Sequence, residues 1–173
     1  MQDYEQAHAA AVRQFGAECA VLLRSDGAFP LREPGKIALF GSGARKTVKG
    51  GTGSGEVNSR YFVTIEKGLE AAGFTITSKA WLDAYESLYS AARQNFIRGL
   101  KQQARAHHTL AILESMGAAM PEPEYQIPLK GKGDTAVYVL SRISGEGSDR
   151  KAAPGDVLLT QTEIRDILQL DAQ

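Results

Sequence analysis

The chain has 173 residues, a formal net charge of zero from 20 basic and 20 acidic side chains, and one cysteine. The length suits one domain with a real core, and the charge balance argues against a nucleic acid or an anionic membrane held by bulk charge. A lone Cys19 excludes an internal disulfide and fits a reducing cytoplasm, where Cys19 reads as a small apolar residue on a helix face.

No run of about 18 apolar residues occurs, so no transmembrane helix is expected. The polar start, Met1-Gln-Asp-Tyr-Glu-Gln6, lacks the basic and apolar regions of a signal peptide. A cytoplasmic protein is therefore expected. His107 and His108 are adjacent and His8 is distant, so no metal centre is expected, and no cofactor motif is complete.

The first predicted helix runs from Asp3 to Leu23, with Ala7, Ala11, Phe15, Cys19 and Leu22 at helical spacing, and Asp26-Gly27 and Pro30 closing it. Ile37-Ala-Leu-Phe40 predicts a buried parallel strand. A helix over Thr64–Ala72 follows, opened by a threonine able to cap it and closed at Gly73. Phe74–Thr77 is a short strand. Lys79 to Met116 predicts a long helical stretch with Trp81, Tyr85, Leu88, Tyr89, Phe96 and Leu100 on it and a break near Gly99 or at His107–Thr109. Its Arg93, Arg98, Lys101 and Arg105 read as a solvated face, given the neutral chain. Pro121-Glu-Pro-Glu-Tyr125 ends this insertion, placed at 79–120. Asp134–Ser141 predicts a strand buried on both faces. Thr160-Gln-Thr-Glu163 resembles a capping box and leads into a helix over Glu163–Leu170. The order implies an α/β layered sandwich with a mostly parallel sheet, a single domain over 1–173, and an incomplete one, since only three strands are predicted.

Two loops follow strand ends. Gly41 to Asn58 holds six glycines between Gly41 and Gly55, bringing bare backbone toward the edge where open α/β sheets bind ligands. A nucleotide loop would need Gly-Lys-Ser/Thr or Gly-x-Gly-x-x-Gly running straight into a helix. Neither occurs, although Arg45, Lys46 and Lys49 are bases that can hold a phosphate. The second loop, Arg142–Asp156, carries Ser144-Gly-Glu-Gly-Ser-Asp-Arg150. Glu146 between two glycines can project into a cleft, and Asp149 with Arg150 can pair and fix the turn. An ordinary surface turn with a solvated Glu146 is the alternative. Both loops are expected on one sheet edge.

These segments together resemble the α/β sandwich domain of glycoside hydrolase family 3, the β-glucosidase type. The likeness is carried by Cys19-Ala-Val-Leu-Leu-Arg-Ser-Asp-Gly-Ala-Phe-Pro-Leu31, by Lys36–Arg45 with Lys49-Gly-Gly-Thr-Gly-Ser-Gly-Glu-Val57, and by Ser144–Arg150, in the family's order. The resemblance implies a retaining β-glycosidase in which Glu146 is the general acid/base and a nucleophilic Asp comes from a (β/α)₈ barrel. It implies that Ser54 faces the glycone subsite, with Thr52, Arg45 and Lys49 lining the cleft. A barrel takes about 250 residues, so the nucleophile is expected outside these residues and the chain alone is expected to be inactive. The resemblance implies a β-linked glucoside or oligosaccharide and a barrel domain as partners; separately, the few predicted strands allow a homo-oligomer in which a second copy completes the sheet. A non-catalytic carbohydrate-binding or assembly module is the competing reading, and a phosphate or nucleotide binder a third.

Overall fold

The computed structural model describes residues 2–51, 55, 57–115, 118, 120–144 and 149–173. They fall into two units, Met1–Glu33 and Pro34–Gln173. In the first, helix α1 (Asp3–Phe15) tightens into a 3₁₀ turn over Gly16–Cys19 and then becomes extended at Ala20. The predicted helix to Leu23 thus stops eight residues early. Gly16 disfavours continuation by about 1 kcal/mol, and no residue of α1 is buried, so no packing offsets that.

The second unit is built around strand β1 (Lys36–Phe40), buried from Ile37 to Phe40. It lies between β2 (Thr75–Ile76) and β3 (Thr135–Tyr138), and both pairings are parallel. Ile37 pairs with Thr135 and Phe40 with Tyr138. The strand predicted to be buried on both faces is therefore an edge: β3 is half-buried and Ala136 is exposed. The central position, with its continuous apolar run, belongs to β1.

Helices connect the strands. α2 (Ile65–Ala71) is capped as predicted, Thr64 Oγ1 accepting from Lys67 N (3.2 Å). It ends at Gly73, whose φ is 94°. α3 (Lys79–Ala106) runs unbroken through Gly99 and stops at His107–Thr109. There His108 takes φ 54° and Thr109 N–H donates to Ala104 O (2.8 Å), a left-handed C-terminal cap. A short helix follows, α4 (Ala111–Ser115). The last helix, α5 (Gln161–Asp171), has the predicted capping box between Thr160 and Glu163.

Strand β2 is only two residues long, yet Leu39 beyond it is fully buried. Ser78 completes the pairing: its hydroxyl accepts from Leu39 N (2.7 Å) and donates to Leu39 O (2.6 Å). One side chain replaces a strand residue, and α3 can begin at once. Behind this seam Trp81 stacks on Tyr85 and meets Phe40 and Tyr125 edge-on. The acidic segment before Tyr125 is stitched on both sides: Tyr85 donates to Glu122, and Thr162 to Glu124. Ser78→Ala strands two buried main-chain groups, each costing about 1–3 kcal/mol. Urea unfolding should show a loss of at least about 1.5 kcal/mol; a loss below about 0.5 kcal/mol would refute the assigned role.

Candidate functional site

At the carboxyl end of β1 the chain meets β3 closely. Gly43 N–H donates to Val139 O (3.0 Å), and Ser141 Oγ donates to Lys46 O (3.2 Å). Gly41 has φ 90°, and a Cβ there would enter the main chain of Val139. A Cβ on Gly43 would lie 2.6 Å from Val139 Cγ1. The first two glycines are thus required by turn geometry and by packing on the neighbouring strand. That local reason suffices without a phosphate.

Arg45 next in the loop makes four hydrogen bonds to three carboxylates. It grips Glu66 twice (2.7 and 3.1 Å) and reaches Asp83 (2.6 Å) and Glu86 (3.0 Å). The Glu66 hydrogen bond, then those to Asp83 and Glu86, raise its pKa despite partial burial. Arg45 therefore joins the loop's root to α2 and α3. Lys49 closes the loop on itself: its ammonium donates to Val57 O and to Ser59 Oγ (2.6 Å). Thr52 and Ser54, between these anchors, lie outside the described residues, as does Glu146.

The second loop is rooted just as firmly. Arg142 donates from Nε to Asp156 O (2.7 Å), from Nη1 to Ser141 O (3.0 Å) and from Nη2 to Glu163 (2.6 Å). Glu163 is the capping-box residue of α5, and the same Oε2 accepts from Thr160 N (2.8 Å). Burial raises its pKa, but Arg142 and the Thr160 amide outweigh that and hold the carboxyl below its usual range. Arg150 pairs with Asp156, not with its neighbour Asp149 as the sequence also allows. The turn over Ala153–Leu158 folds Asp156 back toward it.

The two loops touch. A Cβ on Gly51 would stand 3.0 Å from Ser144 O, so the glycine loop's backbone runs directly against the root of the Glu146 loop. Beside the root of the glycine loop, a cavity of about 200 Å³ opens toward α3, lined by Ser42, Lys46, Tyr85, Tyr89 and Arg93 among others. Lys46 Nζ sits 3.1 Å over the Tyr89 ring. The sequence offered the i, i+4 spacing of Tyr85 and Tyr89 as a helix signal but nothing to aim them at this loop. Asp156 and Glu163 were also missed as loop anchors; only the capping-box pattern of Glu163 was visible. Among the described residues, no group of three or more His, Cys, Asp or Glu is arranged to hold a metal ion, and Glu66, Asp83 and Glu86 surround a guanidinium instead. No helix among the described residues is long and apolar enough to cross a membrane.

Residues 20–165 match the glycosyl hydrolase family 3 C-terminal domain. The chain belongs to glycoside hydrolase family 3. β-Glucosidase A of Butyrivibrio fibrisolvens is 32% identical over 155 residues, covering 88% of this chain and 17% of that protein. A β-glucosidase of Ruminococcus albus is 28% identical over 151 residues, covering 87% of this chain and 15% of that one. The structure of β-glucosidase 3B from Thermotoga neapolitana in complex with glucose superposes with a TM-score of 0.63 at 32% identity, over 96% of this chain and 22% of that one. The chain thus spans only a minor part of the length of the family 3 enzymes it matches.

The Arg142–Glu163 pair predicts a pH dependence of stability. Because the folded carboxyl of Glu163 is held low, its contribution is full above the unfolded value of about 4.3 and is lost as pH falls through the folded value. Glu163→Gln should lose about 1.5–3 kcal/mol at pH 7. It should also flatten the decline in stability below about pH 4.3, measured by urea titrations from pH 3 to 7. Parallel curves for the variant and the parent would contradict this.

Proposed function

We propose that this chain is the sandwich part of a retaining β-glycosidase of the β-glucosidase type. It supplies the general acid/base Glu146 and one wall of the sugar cleft, while the nucleophilic Asp comes from a barrel domain outside these 173 residues. The approach of Gly51 to Ser144 O supports this reading: the described parts of the loops after β1 and β3, the loops whose sequences include Ser54 and Glu146, meet there. Membership of family 3, and relatives named β-glucosidases, support a β-linked glucoside as substrate.

In this reading Glu146 protonates the glycosidic oxygen as the bond to C1 breaks and the barrel's Asp attacks. It then takes a proton from the water that releases the sugar. To be protonated near neutrality it needs a raised pKa, which burial under the sugar and the neighbouring nucleophile provide. Ser54 contacts the glycone and Thr52 lines the cleft wall. Arg45 and Lys49 serve that wall by fixing the root and the neck of the glycine loop, through the bonds already described. A barrel partner is required because a retaining mechanism needs two carboxylates about 5 Å apart.

Two measurements test the proposal. The 173-residue chain alone should not hydrolyse an aryl β-glucoside; turnover that vanishes in Glu146→Gln would overturn its dependence on a barrel. In the enzyme containing both parts, Glu146→Gln should lower kcat/KM for a phenyl β-glucoside by about 10²–10⁴-fold, with azide restoring turnover of an activated aryl glucoside. An unaffected variant would remove Glu146 from the role.

A further inference from the structure

The cavity of about 200 Å³ beside the root of the glycine loop has two walls of different character. One is α3, where Leu82, Tyr85 and Tyr89 follow at helical spacing, the two tyrosine rings 6.2 Å apart. Leu82 and Tyr85 are buried. Arg93 continues the same stripe, one turn beyond Tyr89. The other wall is the chain leaving β1, with Ser42 and Lys46. All of these residues belong to the Pro34–Gln173 unit.

Charge on the lining is unbalanced. Arg45, Lys46 and Arg93 stand against one carboxylate, Glu86. Glu86 already accepts from Arg45 (3.0 Å). Glu66 and Asp83, the other partners of Arg45, do not line the cavity. Lys46 and Arg93 have no carboxylate partner among the described residues. Lys46 Nζ rests 3.1 Å over the Tyr89 ring, a contact that supplies no hydrogen-bond acceptor of the usual kind. Ser42 is buried, and its hydroxyl has no hydrogen-bond partner among the described residues; the Tyr85 hydroxyl on the facing wall donates to Glu122 instead. Such groups call for an acceptor that the fold does not provide.

The main-chain amides of the root are already used. Gly43 N–H donates to Val139 O (3.0 Å), Ala44 to Gly41 O (3.2 Å), and Arg45 and Lys46 to Ser42 O. A phosphate site draws on several converging amides, whereas this cavity offers charge only from side chains and is otherwise largely apolar. Its size also selects a small molecule. A cavity of about 150 Å³ holds a benzene ring, and pockets for drug-sized ligands run to about 300–1,000 Å³.

We propose that this cavity binds a small aromatic monocarboxylate, its carboxylate paired with Lys46 and Arg93 and its ring against Leu82 and Tyr85. Nothing in this binding depends on the glycosidase reading. The Lys46 carbonyl accepts from Ser141 Oγ (3.2 Å), so an occupant engages a residue that ties the chain after β1 to the chain after β3.

Calorimetric titration of the 173-residue chain with benzoate tests this. Benzoate should bind saturably, with a Kd of about 1 mM or tighter. Benzamide, which has the same shape without the charge, should bind at least about 10-fold more weakly. Lys46→Met and Arg93→Met keep apolar stems. Each should weaken benzoate by at least about 10-fold and leave benzamide within about 2-fold. Arg93→Lys, which keeps the charge, should fall between, and it supplies the comparison if a methionine variant does not fold. Weaker or absent benzoate binding would overturn the proposal. So would equal affinity for benzamide, or benzoate affinity unchanged in either methionine variant. Inorganic phosphate bound as tightly as benzoate, with the same losses in the variants, would overturn the aromatic acid in favour of a plain oxyanion site.

Discussion

Strand β1 has a parallel neighbour on each side, and the main-chain hydrogen bonds it shares hold the second unit in order. Its carbonyls and amides are used to the end: by β3 up to Phe40, by β2 up to Ile37, and by the Ser78 hydroxyl at Leu39. A parallel pair cannot be joined by a tight turn, so each crossing consumes a helix and leaves a loop at the same edge. The meeting of the two loops follows from that constraint. With β1 and β3 adjacent and parallel, the segments after Phe40 and Tyr138 must leave side by side.

The zero net charge conceals a specific use of charge. Arg45, Arg142 and Arg150 are each paired with carboxylates of the fold. Lys49 uses a carbonyl and a hydroxyl instead. These cations sit where loops leave or rejoin regular structure. A planar guanidinium suits such a place because one group can bond several partners in fixed directions. Arg142 illustrates the economy: its three nitrogens reach the preceding carbonyl, the turn at Asp156 and the start of α5.

Features decided by neighbours in sequence were legible. The Thr64 cap, the stop at Gly73, the capping box of Thr160 and Glu163, and the buried run of β1 all depend on patterns a few residues long. Features decided by distant partners were not. Strand β3 reads as central because its residues are apolar and β-branched, but strand order is set by how the crossings wrap. Helix α1 ends before Cys19 because apolar spacing alone does not stabilise a helix through a glycine without burial. In sequence Arg150 can pair with its neighbour Asp149, whereas the turn at Gly155 brings Asp156 to it from six residues away. Nothing local to Ser78 reveals that its hydroxyl will stand in for a strand. Of the site residues, Arg45 and Lys49 are placed at the loop's root and neck, while Thr52, Ser54 and Glu146 lie outside the described residues.

The aromatic seam behind β1 has an optical consequence. The sequence contains a single tryptophan, Trp81, and it is 2% exposed between Phe40, Tyr85 and Tyr125. Indole emission from this chain therefore reports on one place, where the central strand, the long helix and the returning segment before β3 come together. Separation of those three elements would wet the indole and redden its emission. Motion of the loops after β1 and β3 alone would leave it unchanged. The molecule thus carries a built-in fluorophore that distinguishes loss of its framework from rearrangement of the loops at one sheet edge.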